Sequence, residues 1–322
     1  MKSIGYAVAL AGALGLPHDA PAQNYPERSI RFVVPFPPGG STDFMARILA
    51  QRLPAALGQS IVVDNRGGGG GNIGADIVAK AAPDGYTLLI TADGPITVNP
   101  SVYAKLTYNA MRDLPAIMQL IHYAYVAVLH PSVPAASVKE LIQLAKAQPG
   151  KLRYAHAGVG TGPQLAAELF KMLGGVDITS VPYKGGGPAL IAVVGNETQL
   201  SFATPPSCMP HVKSGRVKAI AVTSGKRSAA LPELPTIAEA GIAGYDVDGW
   251  VGLFAPAGTP GRIVERLHSE VGKVLLMPEV KELVLASGSE TSGISPAETR
   301  AKVRNETAMW AKVVKSTGIK VE

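Results

Sequence analysis

A strand, a glycine-rich turn and an amphipathic helix occur in the same order at two places in this 322-residue chain. The first runs from Ile30 to Leu53 as IRFVVPFPPGGSTDFMARILAQRL, and the second starts at Lys151 as KLRYAHAGVGTGPQLAAELFKML. Each is followed by a second strand ending in glycines, SIVVDNRGGGGGNIG from Ser60 and ITSVPYKGGGPAL from Ile178. Each then passes through a helix to a third strand, YTLLIT from Tyr86 and QLSFAT from Gln199. A further pair matches: YVAVLHPSVPAASVKELI from Tyr125 and WVGLFAPAGTPGRIVERL from Trp250. The offsets, roughly 110 to 125 residues, are far longer than a solenoid repeat, so the chain contains two copies of a lobe and no array.

Strand-like runs alternate with helical patterns throughout, which predicts α/β architecture with largely parallel sheets. No long linker or low-complexity stretch separates the halves, so the chain must cross between lobes inside strand-like segments, near His122 to Tyr125 and Gly244 to Trp250. The expected organisation is a discontinuous first lobe, residues 23–122 plus 246–322, and a second lobe of residues 123–245. A ligand cleft is expected between them, where strand C-terminal ends and helix N-termini converge.

The first turn carries chemistry. A helix opening at Ser41, Thr42 and Asp43 presents free backbone N–H groups and the positive end of the helix dipole, and Gly39 and Gly40 allow close approach, which suits an anion. A plain strand-to-helix turn with Ser41 or Thr42 as N-cap explains the same residues without a ligand. Asp43 fits a helix N-terminus on electrostatic grounds alone. Asp93, after the third strand, is either a turn residue before Gly94 and Pro95 or an acceptor for a ligand amine or hydroxyl.

Met1 to Ala22 carries Lys2, an apolar stretch from Ile4 to Leu16 and Ala20-Pro21-Ala22 before Gln23, the pattern of a secretory signal peptide cleaved after Ala22. Its removal takes away one base, Lys2, and one acid, Asp19, so the net charge stays +6. That excess suits small acidic ligands, and without a basic, aromatic-interleaved stripe it argues against nucleic acid. Cys208 is the one cysteine, so no intrachain disulfide forms.

Catalytic signatures are missing: there is no GxSxG elbow, P-loop, HExxH or CxxC. Gly69 to Gly74 satisfies GxGxxG with Asp93 about twenty residues on, as in a dinucleotide fingerprint. It lies within the glycine run Gly67 to Gly71, where chance matches come easily, and after the second strand of its lobe instead of the first. The enzyme alternatives are therefore a dehydrogenase using this motif and a hydrolase with a site outside known motifs.

Several motifs in fixed order resemble one family along nearly all of the mature chain: YPERSIRFVVPFPPGGSTD, IVVDNR then GGNIGAD, APDGYTLL, the VNP at Val98, SVPYKGG, SGRVKAIAVTS, LPTIAEAG and GLFAPAGTP. They are similar to the substrate-binding receptors of tripartite tricarboxylate transporters, the Bug family of periplasmic solute-binding proteins. The resemblance implies a Venus flytrap of type II topology and a monomeric periplasmic receptor. It would need no cofactor, bind a small carboxylate and deliver it to membrane permease subunits; a ligand sensor independent of any transporter is the alternative.

In the family the carboxylate is held, partly through water, between matching loops of the two lobes. The first loop corresponds to Phe36, Pro38, Gly39, Gly40, Ser41, Thr42 and Asp43, the second to Gly158, Gly160, Thr161 and Gly162, with Tyr183, Lys184 and Gly185 alongside. Thr161 is expected to bond the carboxylate. The chain departs from the family at the all-glycine run, at Asp64 where glutamate is usual, at His156 where a small hydroxyl residue is expected, and at Thr204 where aspartate is frequent. His156 and Thr204 follow second-lobe strands that point at the cleft; a cleft-lining His156 would make affinity titrate near pH ~6.5.

Overall fold

A computed structural model describes residues 25–317. The expected signal peptide, Met1 to Ala22, lies outside the described residues. Eleven strands are described: β1 (Ile30–Val34), β2 (Ile61–Asn65), β3 (Thr87–Ala92), β4 (Ala116–Ala124), β5 (Val126–Leu129), β6 (Arg153–His156), β7 (Thr179–Pro182), β8 (Leu200–Ala203), β9 (Lys218–Val222), β10 (Asp248–Phe254) and β11 (Glu290–Ile294). They form two sheets, ordered β11-β4-β10-β3-β1-β2 and β7-β6-β8-β5-β9.

The repeated sequence plan reappears as repeated topology. β2-β1-β3-β10 in one sheet matches β7-β6-β8-β5 in the other, each strand with the partner its sequence anticipates. The sheets are nevertheless mixed. β1 lies parallel to β2 and β3, and β6 parallel to β7 and β8. β10 runs antiparallel to β3 and β4, and β5 antiparallel to β8 and β9. These antiparallel strands enter from the other half of the chain without a helical crossover, so nothing forces them parallel.

β1 is a β-branched and aromatic run because it is covered on both faces. Phe32 and Val34 join the cluster containing Met45 and Leu49 of the helix Ser41–Arg52, while Val33 joins that of Ala75 and Val78 of the helix Asn72–Ala79. Met45 and Leu49 are i, i+4 neighbours with no exposed surface, and burying each contributes about 1.5–3 kcal/mol. This fixes the start of the helix against the strand that precedes it. The C-terminal helix Pro296–Thr317 packs back on the first sheet: Thr299 Oγ1 accepts from Gln119 N–H at 3.1 Å, and Trp250 Nε1 donates to Glu306 at 2.7 Å. Trp250 is thus core.

The sheets join where β4 continues into β5 and where the chain returns from β9 to β10. Thr223, fully buried, ties these passages together. Tyr125 N–H donates to its Oγ1 at 2.7 Å and its own N–H donates to Tyr125 O at 3.0 Å. Its hydroxyl donates to Val247 O at 2.7 Å, and Val247 N–H donates to Thr223 O at 2.9 Å.

Candidate functional site

A narrow, mostly apolar cleft of about 450 Å3, counted out to its mouth, lies between the sheets. Phe36, Gly40, Ser41, Thr42, Asp93 and Gly94 line it on one side, and Ala157, Thr161, Gly162, Pro163, Gly186 and Thr204 on the other. Tyr123 and Tyr125 close the end at the junction of the sheets. Four α-helices begin here, three of them with an N–H group on their first residue: Ser41–Arg52, Gly162–Gly174 and Gly186–Val194. None has a side-chain cap. Their first N–H groups have no preceding helical carbonyl, so they and the positive helix ends are available to an anion. Among the described residues no lysine or arginine lines this cleft.

The helix at Thr204 contributes differently. Pro205 and Pro206 supply no N–H, which leaves the Thr204 hydroxyl, 3.1 Å from Ser207 Oγ, as the group it offers.

Asp43 braces the first loop from behind. It accepts from Gly39 N–H at 3.2 Å, Arg47 Nε at 2.9 Å and Asn65 Nδ2 at 3.1 Å. Burial pushes its carboxyl up, but these donors outweigh burial and hold it below the usual range. Asp93 is the opposite case. It is 2% exposed, Oδ1 accepts only the adjacent Gly94 N–H at 2.9 Å, and no cation pairs with it among the described residues. Burial, reinforced by the Glu306 carboxylate, pushes its carboxyl up to about 8. Beside it Tyr123 OH lies 3.0 Å from Ser41 Oγ, and the Tyr123 and Tyr125 rings meet edge to face, 5.4 Å between centroids. Burial raises both phenols, so they stay protonated hydrogen-bond donors.

Thr161 lines the cleft, but its hydroxyl donates to Gly158 O at 2.6 Å. That bond holds the loop in shape and leaves Gly162 N–H as the loop's free donor. His156 does not line the cleft: Nδ1 sits 3.0 Å from Gly158 O and Nε2 2.9 Å from Ser180 Oγ on the neighbouring strand. Burial lowers its pKa, with the Gly158 carbonyl opposing in part, so the ring is a neutral brace.

Tyr183, Lys184 and Gly158 line a side cleft with Gly68 to Gly71 and Tyr103, while Pro38 and Gly39 line an outer groove. The glycine run is therefore part of the lobe-to-lobe contact, with Asn72 accepting from Asn99 and Tyr108 where a dinucleotide motif would start its helix. Tyr123, Tyr125, Gly94 and Gly186 are cleft residues that motif reading missed. Gly186 was within reach, since it opens a helix after a strand as Ser41 and Gly162 do.

The two halves meet along glycines and backbone. Tyr103 OH donates to Val159 O at 3.1 Å. A Cβ on Gly94 would stand 2.9 Å from Gly160 O, one on Gly185 2.7 Å from Pro37 Cδ, and one on Gly70 would collide with Val159 O. No side chain fits there.

Residues 45–319 match the family described as the tripartite tricarboxylate transporter family receptor. Protein BugT of Bordetella pertussis is 37% identical over 320 residues, covering 99% of this chain and 97% of BugT. Two solved structures share the fold over their full or nearly full length. R. palustris Rpa4515 with adipate has a TM-score of 0.89 at 38% identity, covering 92% of this chain and 99% of that one. MatC (Rpa3494) from Rhodopseudomonas palustris with bound malate has 0.85 at 32%, covering 90% and 100%.

Proposed function

Because the chain belongs to the tripartite tricarboxylate transporter receptor family, we propose that it is a periplasmic receptor that closes its two lobes around a small carboxylate and presents it to membrane permease subunits. Members of this family are receptors, which removes the dehydrogenase and hydrolase alternatives. The observation that carries the ligand class is the convergence of three uncapped helix N-termini on a cleft without a lysine or arginine, an arrangement that holds an anion through backbone N–H groups and hydroxyls. Adipate and malate in the two related structures are of the same class.

The lobes in this reading are residues 23–122 with 246–322 and residues 123–245, and the protein acts as a monomer without a cofactor. The ligand touches both lobes only when they are closed, so its differential affinity drives closure. Phe36, Gly40, Ser41 and Thr42 hold one side of the carboxylate; Gly162 and Thr204 hold the other, on a loop that Thr161 keeps in shape.

A thermal-shift panel of mono-, di- and tricarboxylates, aliphatic and aromatic, with amino acids included, tests the ligand class. At least one acid should raise the melting temperature, with about 2.7 kcal/mol gained at a hundredfold excess over Kd, while its amide does not. Equal stabilisation by the neutral amide would remove the anion reading. Export predicts a mature chain beginning at Gln23, readable as intact mass in the periplasmic fraction; an unprocessed cytoplasmic chain would refute it. No helix among the described residues is long and apolar enough to cross a membrane.

A further inference from the structure

An acid on the wall of an anion site calls for explanation. Among the described residues Asp93 is the one carboxylate lining the cleft, it is buried, no side chain donates to it, and the helix ends around it favour negative charge. A buried carboxylate whose one hydrogen bond comes from the Gly94 N–H, at the start of the helical turn Gly94–Val98, is still costly to ionise. Two arrangements relieve it: a cation on the ligand, or a proton on Asp93. The cation is disfavoured, because an ammonium placed here would face the positive ends of the helices starting at Ser41, Gly162 and Gly186. A proton suits the same surroundings, since a neutral carboxyl offers an O–H to a second ligand oxyanion that those helix ends attract.

Resting on the small-carboxylate reading above, we propose that the ligand is a dicarboxylate whose second carboxylate shares a proton with Asp93, so that the receptor binds in the form that carries a proton on this carboxyl. Asp93 then reads the difference between a diacid and a monoacid without any basic side chain. Burial already holds its carboxyl at about 8 before an anion arrives, and a bound carboxylate raises it further by like-charge repulsion. The other titratable groups facing Asp93 are Tyr123 and Tyr125 at the junction of the sheets and Glu306 and Lys302 on the C-terminal helix. The tyrosines stay protonated across neutral pH. Glu306 is held by Trp250 Nε1 and by Lys302, 2.7 Å away.

The sign follows from linkage. If the bound state holds a proton that the free protein loses as pH rises through about 8, affinity is constant below that value and falls roughly tenfold per pH unit above it.

Calorimetry between pH 6 and 9.5 tests this with succinate, malate, glutarate and adipate, the monoacids butyrate and hexanoate, and glutamate. Expected are a preference for a diacid over the monoacid of equal length, the tenfold-per-unit fall at high pH, and an Asp93→Asn variant that binds the same diacid with nearly flat pH dependence, because the amide donates without titrating. Equal binding of the monoacid, an unchanged pH profile in Asp93→Asn, or preference for glutamate with loss of binding in Asp93→Asn would each overturn the proposal. Should Asp93→Asn fail to fold, proton uptake by the wild type decides: measured at pH 8.5 in buffers of different ionisation enthalpy, uptake of roughly three quarters of a proton supports it and none refutes it. A wild type that binds no acid of any class refutes the carboxylate reading itself, whereas one that binds only monoacids refutes this proposal and leaves that reading standing.

Discussion

Gly94→Val is expected to leave both lobes folded and to weaken carboxylate binding by a factor of roughly 5 to 150, because overpacking a tight contact costs about 1–3 kcal/mol. Gly94 opens its turn with a backbone conformation open to any residue, so the substitution brings no strain of its own. The new Cβ would stand 2.9 Å from Gly160 O, across the cleft in the second lobe, where a carbonyl cannot swing away as the end of a flexible side chain can. The cost therefore falls on the closed form, which is the form that binds. Calorimetry against the best acid of the panel, with urea unfolding of the ligand-free variant alongside, separates the effects. Wild-type affinity in Gly94→Val would mean that the glycine seam does not limit closure; an equal loss of ligand-free stability would mean that the damage lies within one lobe.

Thr223→Val should destabilise the chain by about 2–5 kcal/mol, since valine keeps the shape but leaves Tyr125 N–H without its acceptor and Val247 O without its hydroxyl donor, each buried orphan costing roughly 1–3 kcal/mol. Thr223→Ser retains the hydroxyl and should recover most of the loss. The comparison is a urea midpoint measured at unchanged slope. A Thr223→Val variant within ~0.5 kcal/mol of wild type, the usual range for an uninvolved surface position, would show that this lace is not a structural joint.

The parts of this molecule that were legible beforehand are those whose information is local. IRFVVPFPPGG announces a buried strand and a turn in adjacent residues, and its counterpart from Lys151 does so again, so the duplication and the positions of Ser41 and Gly162 could be read directly. Mixed strand direction could not, because β5 and β10 have the same apolar character whichever way they run. His156 turned on a residue far away in sequence: Ser180, on the adjacent strand, satisfies the ring and keeps it out of the cleft. Tyr123 and Tyr125 sit in a continuous apolar run, where alternation gives no sign of which side chain faces a cavity. For Asp93 the sequence offered turn and ligand roles alike; its burial and lack of a cation separate it from the fully braced Asp43.

The exchange of strands between halves of the chain has a consequence for biogenesis. β3 has its inner edge covered only by β10, which follows it by about half the length of the chain, and β11 comes later still, so the first sheet stays unfinished until nearly all of the protein has been made. An uncovered edge is a template for wrong pairing, and distant pairings form slowly. A chain that cannot complete its first lobe early remains threadable during synthesis, which suits passage through a narrow pore in extended form, with assembly postponed to the far side. The same connectivity that joins the two lobes at Thr223 thus delays their completion until most of the polypeptide has been made.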